Sequence, residues 1–210
     1  MYSLPQFKET DPDKIKAFLQ QHSFAMLIGC KEGVPVATQV PLLIEERGER
    51  LIFQGHIMRN TDHHKALESN PNALCVFTGP HAYVSASWYT KPQNASTWNY
   101  MSVHASGKVQ FVDHEGLLSI LEKTTRYYEN NDHSPASFHN LSSDYIERLS
   151  KAIVGFEIEV TSLEHIFKLS QNRDETSYGN IISQLEEGDA EAKGVAIEMK
   201  QRQQSLFNPS

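Results

Sequence analysis

Ile153-Val154-Gly155-Phe156-Glu157-Ile158-Glu159-Val160 reads as a β-strand. Val154, Phe156, Ile158 and Val160 alternate with Gly155, Glu157 and Glu159, which gives one buried face and one wet face. The N-terminal half repeats this character in shorter pieces. Phe24 to Cys30 is an apolar run, Lys31-Glu32-Gly33 is a turn, and Pro35 to Ile44 is β-rich, with Val36, Thr38 and Val40 in alternation. Glu45 to Arg50 reads as a charged hairpin turn, and Leu51 to Gly55 begins another strand. Strands joined by such short turns form an antiparallel meander, because a parallel pair needs a long crossover.

Further strands are expected at Ala73–Thr78, His81–Tyr89, Trp98–Val112 (bent at Gly107) and His165–Ser170, with Lys91 to Ser96 as a loop. Helices intervene. Asp11-Pro12-Asp13 combines a cap, a first-turn proline and an acid at the positive end of the dipole. The helix it starts carries Ile15, Phe18 and Leu19 and stops near Gln21 or His22. Others are expected at Asn60–Glu68, after Asp113, after Ser142 or Ser143, and from Ser177 onward with a break at Gly188. The fold class is therefore mainly antiparallel β with inserted and terminal helices. Five to eight strands in one chain imply a closed or nearly closed barrel, since closure removes exposed sheet edges. Residues 1–170 are expected to form the barrel domain, and 171–210 a polar loop and helical appendage of the same domain.

Composition excludes several classes. The chain has 210 residues, 39% hydrophobic and 21% charged, too apolar for a disordered chain and long enough for an unstapled core. No apolar run approaches the roughly 18 residues of a membrane span. Met1 to Pro5 lacks the basic patch and apolar stretch of a leader, so a cytoplasmic protein is expected. Its 19 basic and 26 acidic residues give a net charge of −7, against the usual sign of a DNA-binding domain. Cys30 and Cys75 each lie in an apolar stretch and read as reduced thiols.

No dinucleotide or P-loop glycine motif, zinc-protease motif or serine-hydrolase elbow is present. His63 and His64 are adjacent on a helix, about 100° apart, and do not converge on one metal ion. Two segments concentrate chemistry. Gly55 to Lys65 leaves a strand and enters a helix, where free N–H groups favour an anion; Arg59 and Lys65 add cations, Asn60 and Thr61 neutral donors. The same stretch also reads as a solvated basic turn with a helix cap. Tyr83 to Tyr100 holds both tryptophans, Trp88 and Trp98, suited equally to a flat ligand and to sheet packing. A third stretch, Lys168 to Asp174, gathers amides and charges in a loop.

Taken in order, Tyr2 with Pro5 and Phe7, Gly55-His56 with Arg59 and Lys65-Ala66-Leu67, Phe77 to Ser85, Ser87-Trp88-Tyr89, Thr97-Trp98-Asn99-Tyr100 with Val103 and Gly107, Ile153 to Ile158, and Lys168 to Arg173 cover nearly the whole chain. This series resembles the PaiB-type family of FMN-binding negative transcriptional regulators. The family usually has Asn-Pro and Trp where this chain has Thr61-Asp62 and His64, and Pro where it has Ala86 and Ser96. The resemblance implies an FMN-binding split barrel similar to the pyridoxamine-phosphate oxidase superfamily, and a homodimer with flavin at the subunit interface. It implies that Arg59 and Lys65 hold the FMN phosphate, beside Asn60, and that the backbone of His56, Ile57 and Met58 lines the isoalloxazine. Trp98, Asn99 and the Gln171-Asn172-Arg173 loop then approach the ring, from the second subunit in a shared site. Within this resemblance the chain is a negative transcriptional regulator or, alternatively, a flavin-dependent oxidoreductase or a haem-binding or haem-degrading split-barrel protein; the net charge of −7 and the lack of a clear helix-turn-helix argue against direct nucleic-acid contact. No catalytic residue is assigned; His56, His81 and Tyr100 are candidates from the matching segments.

Overall fold

The computed structural model describes residues 4–91, 93–131 and 133–208. Tyr2 of the N-terminal motif, the Met1–Ser3 part of the expected leaderless start and Pro92 of the expected loop lie outside them. Seven strands and six helices follow in order: α1 (Pro12–Gln21), β1 (Phe24–Lys31), β2 (Val34–Pro41), β3 (Leu43–Arg47), β4 (Arg50–Met58), α2 (Asp62–Ser69), β5 (Asn72–Val84), β6 (Thr97–Phe111), α3 (His114–Glu129), α4 (Ser143–Ser150), β7 (Ile153–Lys168), α5 (Glu175–Glu186) and α6 (Ala190–Phe207). The fold is antiparallel β with inserted helices, as the alternation of the sequence requires.

Several boundaries differ from the sequence reading. The single strand expected over Pro35–Ile44 is two, divided at Leu42, which is 1% exposed. The charged hairpin turn is shorter than expected: Arg47 pairs with Arg50, leaving only Gly48 and Glu49 at the tip, with Gly48 at φ +65°. Gly79-Pro80 does not end a strand, because β5 runs on to Val84. The strand expected to reach Tyr89 stops there, and Ala86–Trp88 form a 3-10 turn. The two strands expected at 153–160 and 165–170 are one, β7. No bend is needed at Gly107 to explain its glycine: a Cβ there would stand 2.3 Å from the Glu159 carbonyl oxygen, so it admits close approach of the β7 backbone.

The sheet order is β2-β1-β5-β6-β7-β4-β3. The ladder therefore does not close, the second of the two forms expected, closed or nearly closed. Its two edge strands are nevertheless consecutive in the chain, joined by Leu42 alone, so the sheet curls until its edges meet at a seam. That is the split form of a barrel.

The chain divides into two compact units. Unit 2 (19–77 and 104–163) holds β1 to β4, α2 to α4 and the adjoining parts of the three long strands. Its core includes Leu27, Leu42, Phe53, Phe77, Phe156 and Ile158, all at most 1% exposed. Unit 1 (1–18, 78–103 and 164–210) holds the other ends of those strands with α5 and α6. Asp174 and Asp189 cap these two helices through the Ser177 and Ala192 N–H groups. Tyr178, Ile181, Val195 and Met199 fill the space between them, and the Tyr178 hydroxyl donates to the Met199 carbonyl. Cys75 is buried and Cys30 half-buried, and both are free thiols.

Candidate functional site

The Gly55–Lys65 elbow lies wholly in unit 2. β4 pairs with β7 through Met58↔Ile153, and the Arg59 N–H then donates to the Ala152 carbonyl, holding the chain to the sheet as it leaves. Asn60 turns it, in the left-handed region at φ +65°, which asparagine tolerates. Thr61 caps α2: its hydroxyl accepts the His64 N–H at 3.1 Å and donates to the Met58 carbonyl. The Asp62 carboxylate accepts the His63 N–H at 2.8 Å. The His63 and His64 N–H groups, expected free for an anion, are thus already capped.

This geometry accounts for three of the five residues that depart from the family pattern, those in the elbow. Thr61 and Asp62 satisfy the helix end. His64 packs edge-on against Phe111 at 5.1 Å, and its Nδ1 accepts the Asn60 N–H at 3.2 Å. Nδ1 being an acceptor, the proton sits on Nε2, which faces Glu68 at 3.6 Å.

The two cations are exposed. One guanidinium nitrogen of Arg59 donates to the Ile153 carbonyl at 3.0 Å, leaving its other donors available. The Lys65 N–H donates to the Thr61 carbonyl at 3.1 Å, while its ammonium has no hydrogen bond or ion pair among the described residues. His56, Ile57 and Met58 line a cavity of about 380 Å³ with Ala37 to Pro41, Thr61, Asp62 and His63. Arg59 instead lines a neighbouring cavity of about 350 Å³, with His114, Lys151 and Glu147, and Lys65 lines neither. The elbow thus gathers the expected ring-lining residues on one cavity and turns its arginine to the next. Burial holds the His56 and His63 imidazoles below the ordinary histidine range; for His63 the Asp62 charge partly offsets this. Both ring nitrogens of His63 are buried without a partner, a feature that sequence reading missed because nothing local marks an unsatisfied ring.

The remaining expected residues lie in unit 1. Trp98 is 53% exposed on β6, with Tyr83 and His81 at 6.0 and 6.1 Å between ring centroids. Asn99, next in the strand, faces the opposite way and is fully buried. Its amide donates to the Met199 sulfur and accepts from the Ser170 hydroxyl. Gln171 is committed to its own turn: it accepts the Leu169 N–H at 2.7 Å and donates to the Phe167 carbonyl at 2.5 Å. Asn172 is exposed, and the Arg173 guanidinium lies 4.0 Å from the centroid of the Tyr89 ring. In this chain, then, Asn99 and Gln171 hold the local structure, while Trp98 and Asn172 face outward.

Residues 1–162 match the family model described as "Putative FMN-binding domain". The chain is similar to the protease synthase and sporulation protein PAI 2 of Bacillus subtilis, 36% identical over 203 residues, covering 96% of this chain and 98% of that protein. The chain belongs to the PaiB-type FMN-binding family. FMN is the cofactor at family level. Among solved structures, a conserved hypothetical protein of Mycobacterium tuberculosis superposes with a TM-score of 0.57 at 10% identity, covering 80% of this chain and 91% of that one. The FAD and heme binding protein of Mycobacterium smegmatis superposes with a TM-score of 0.53 at 14% identity, covering 76% and 72%. At these identities the likeness is one of fold, and it bears out the split barrel.

The donor set of this PaiB-type chain suits FMN. An exposed guanidinium and an unpartnered ammonium flank a strand-to-helix elbow, and the adjacent carboxylate of Asp62 already caps its own helix. The cavity beside the strand is within the size range of small-ligand sites. Among the described residues, no helix is long and apolar enough to cross a membrane.

Proposed function

We propose that this protein is a cytoplasmic homodimeric FMN-binding regulator, with the flavin at the subunit interface and a negative effect on transcription. The Arg59 and Lys65 cations take the phosphate, Asn60 shapes the elbow between them, and the His56–Met58 backbone lines the ring. By the family resemblance, the second wall comes from the other subunit of the dimer, through its Trp98 and the outward face of its Gln171–Arg173 turn, with its Asn99 as support. A bound flavin would supply redox chemistry; the chain's residues bind and orient it.

The observation that carries the dimer is an apolar sheet face in unit 2. Strand register sets Gln39, Met26 and Val76 in one row, and Ala37, Ile28 and Leu74 in the next. Phe24 continues this face and is 62% exposed, with Met26 at 40%. An antiparallel sheet with a wet outer face alternates apolar with polar, but five of the six residues in those rows are apolar. Contiguous exposed apolar surface of this kind marks an association site. Ala37 and Gln39 also line the 380 Å³ cavity, so a second copy seated on this face reaches the edge of the ring site. The net charge of −7 favours regulation through a partner or a ligand over direct DNA contact.

The test is a crystal structure grown with excess FMN. The expected result is phosphate on Arg59 and Lys65, and the tricycle against His56–Met58 at a two-fold interface. Flavin elsewhere, or none, overturns the reading. The alternative, a flavin-dependent oxidoreductase, draws on the half-buried imidazole of His56 in that cavity, which partial burial pushes below the ordinary histidine range and so towards its proton-accepting form. Steady turnover of bound flavin with a nicotinamide reductant and an acceptor would favour it.

A further inference from the structure

The neighbouring cavity of unit 2, the one that Arg59 borders, is built by four pieces of chain. α3 contributes His114, Leu117 and the cap Asp113; α4 contributes Glu147 and its C-cap Lys151; β7 contributes Val154 and Gly155; Arg59 follows β4. Every residue lining the cavity belongs to unit 2. Its volume is about 350 Å³, against about 30 Å³ for one water, so it suits an organic molecule rather than a bare ion.

The walls are held together by named bonds. The Arg59 N–H donates to the Ala152 carbonyl at 2.8 Å, and its guanidinium to the Ile153 carbonyl at 3.0 Å. The Ala152 N–H donates to the Leu149 carbonyl, which closes the end of α4. His114 Nε2 lies 2.9 Å from the Glu147 carboxylate and ties α3 to α4. Leu117 and Val154, 3% and 4% exposed, give the cavity an apolar lining.

The charged groups on this cavity are unevenly used. Both acids are engaged: Asp113 accepts the Gly116 N–H at 2.8 Å, and Glu147 faces His114. Neither cation, Arg59 or Lys151, has an ion pair among the described residues, and the Lys151 ammonium has no hydrogen bond among them. Both are exposed, so a ligand reaches them without opening the wall. The donor capacity left over is therefore a planar guanidinium fork and an ammonium bordering one space, beside apolar surface. Such donors take phosphate or carboxylate oxygens, and the apolar lining takes hydrocarbon.

We propose that this cavity is a second ligand site, for a small acid with a phosphate or carboxylate head and an apolar body. Arg59 and Lys151 hold the head, and Leu117 and Val154 the body. The site does not rest on the flavin reading, although Arg59 borders both it and the elbow.

The test is a titration of the whole protein, without added FMN, followed by NMR of isotope-labelled leucine and valine methyls. Phenyl phosphate and benzoate are the probes, and benzyl alcohol is the neutral control. The expected result is a saturable shift of the Leu117 and Val154 methyls with at least one anion, none with benzyl alcohol, and none at Val195 between α5 and α6. Lys151→Gln, with the Val195 signals in place to show the fold, is expected to weaken binding about tenfold, the loss of one charge-assisted hydrogen bond. The anion that binds more tightly fixes the head group. No saturable shift with either anion, an equal shift with benzyl alcohol, or an unchanged affinity in Lys151→Gln overturns the site. Shifts of these methyls produced by FMN and by neither anion also overturn it, since the cavity then belongs to the flavin. The probes are added without FMN, so failure of the flavin reading and failure of this site give different results.

Discussion

The Asn60 backbone N–H donates to His64 Nδ1 across one turn of chain, at 3.2 Å, and this bond fixes the elbow from which Arg59 and Lys65 project. Because Asn60 is in the left-handed region, the elbow needs such a bond to hold its shape. His64→Leu keeps the apolar contact with Phe111 and removes the acceptor. Leaving a part-buried N–H unpaired costs about 1–2 kcal/mol. The expected outcome is a Tm lower by about 2–8 °C, with weaker FMN binding, in a thermal melt and a flavin titration. An unchanged Tm would mean that the bond is not held in solution.

The apolar face on β1, β2 and β5 predicts the assembly. Phe24→Lys with Met26→Lys places two like charges on strand positions that are outward-facing within one chain, so each subunit should still fold. Light scattering is expected to give the dimer mass for the wild-type protein and the monomer mass for the double variant, with circular dichroism unchanged. A variant that remains dimeric would move the interface elsewhere.

Gly107→Ala tests the close approach of β6 and β7. A Cβ at 2.3 Å from the Glu159 carbonyl oxygen has no room, and the obstacle is backbone, which cannot rotate away. Destabilisation of about 3 kcal/mol or more is expected in denaturant unfolding. A loss below about 1 kcal/mol would show that the strands separate easily.

Acid sensitivity follows from His56 and His63. Burial lowers both in the folded state, so above about pH 6.5, the ordinary histidine value, folded and unfolded chains alike hold them neutral. As pH falls below that value the unfolded chain takes up protons first, and stability declines until the folded pKa values are reached. The expected result is a Tm that falls from pH 7 towards pH 5, with a smaller fall in His63→Leu. An equal fall in that variant would assign the effect to other groups.

Much of the fold was legible because local chemistry agreed with it. Asp113, Ser142 and the alternation from Val154 to Val160 each predict the element they sit in. The errors lie where tertiary packing overrides punctuation. Gly79-Pro80 passes through β5, where a Cβ-free turn signal loses to a long antiparallel ladder. Leu42 divides a run that is β-favouring throughout, because the barrel seam falls there. In the candidate site, the residue types at Arg59 and Lys65 were readable, but the carboxylate of Asp62 capping its own helix was not. Nor were the orientation of Asn99 into the core and the missing partners of His63 and Tyr89, which depend on residues distant in sequence.

The most direct measurement is a titration of the purified protein with FMN, followed by the visible flavin band and by fluorescence, for the wild type and for Arg59→Ala with Lys65→Ala. Each charged hydrogen bond to the phosphate contributes about 1.5–3 kcal/mol, so the double variant should bind roughly a hundredfold or more weakly while remaining folded. Saturable 1:1 binding per chain in the wild type, lost in the variant, is the expected result. No spectral change in the wild type, or an unchanged Kd in the variant, would contradict the account.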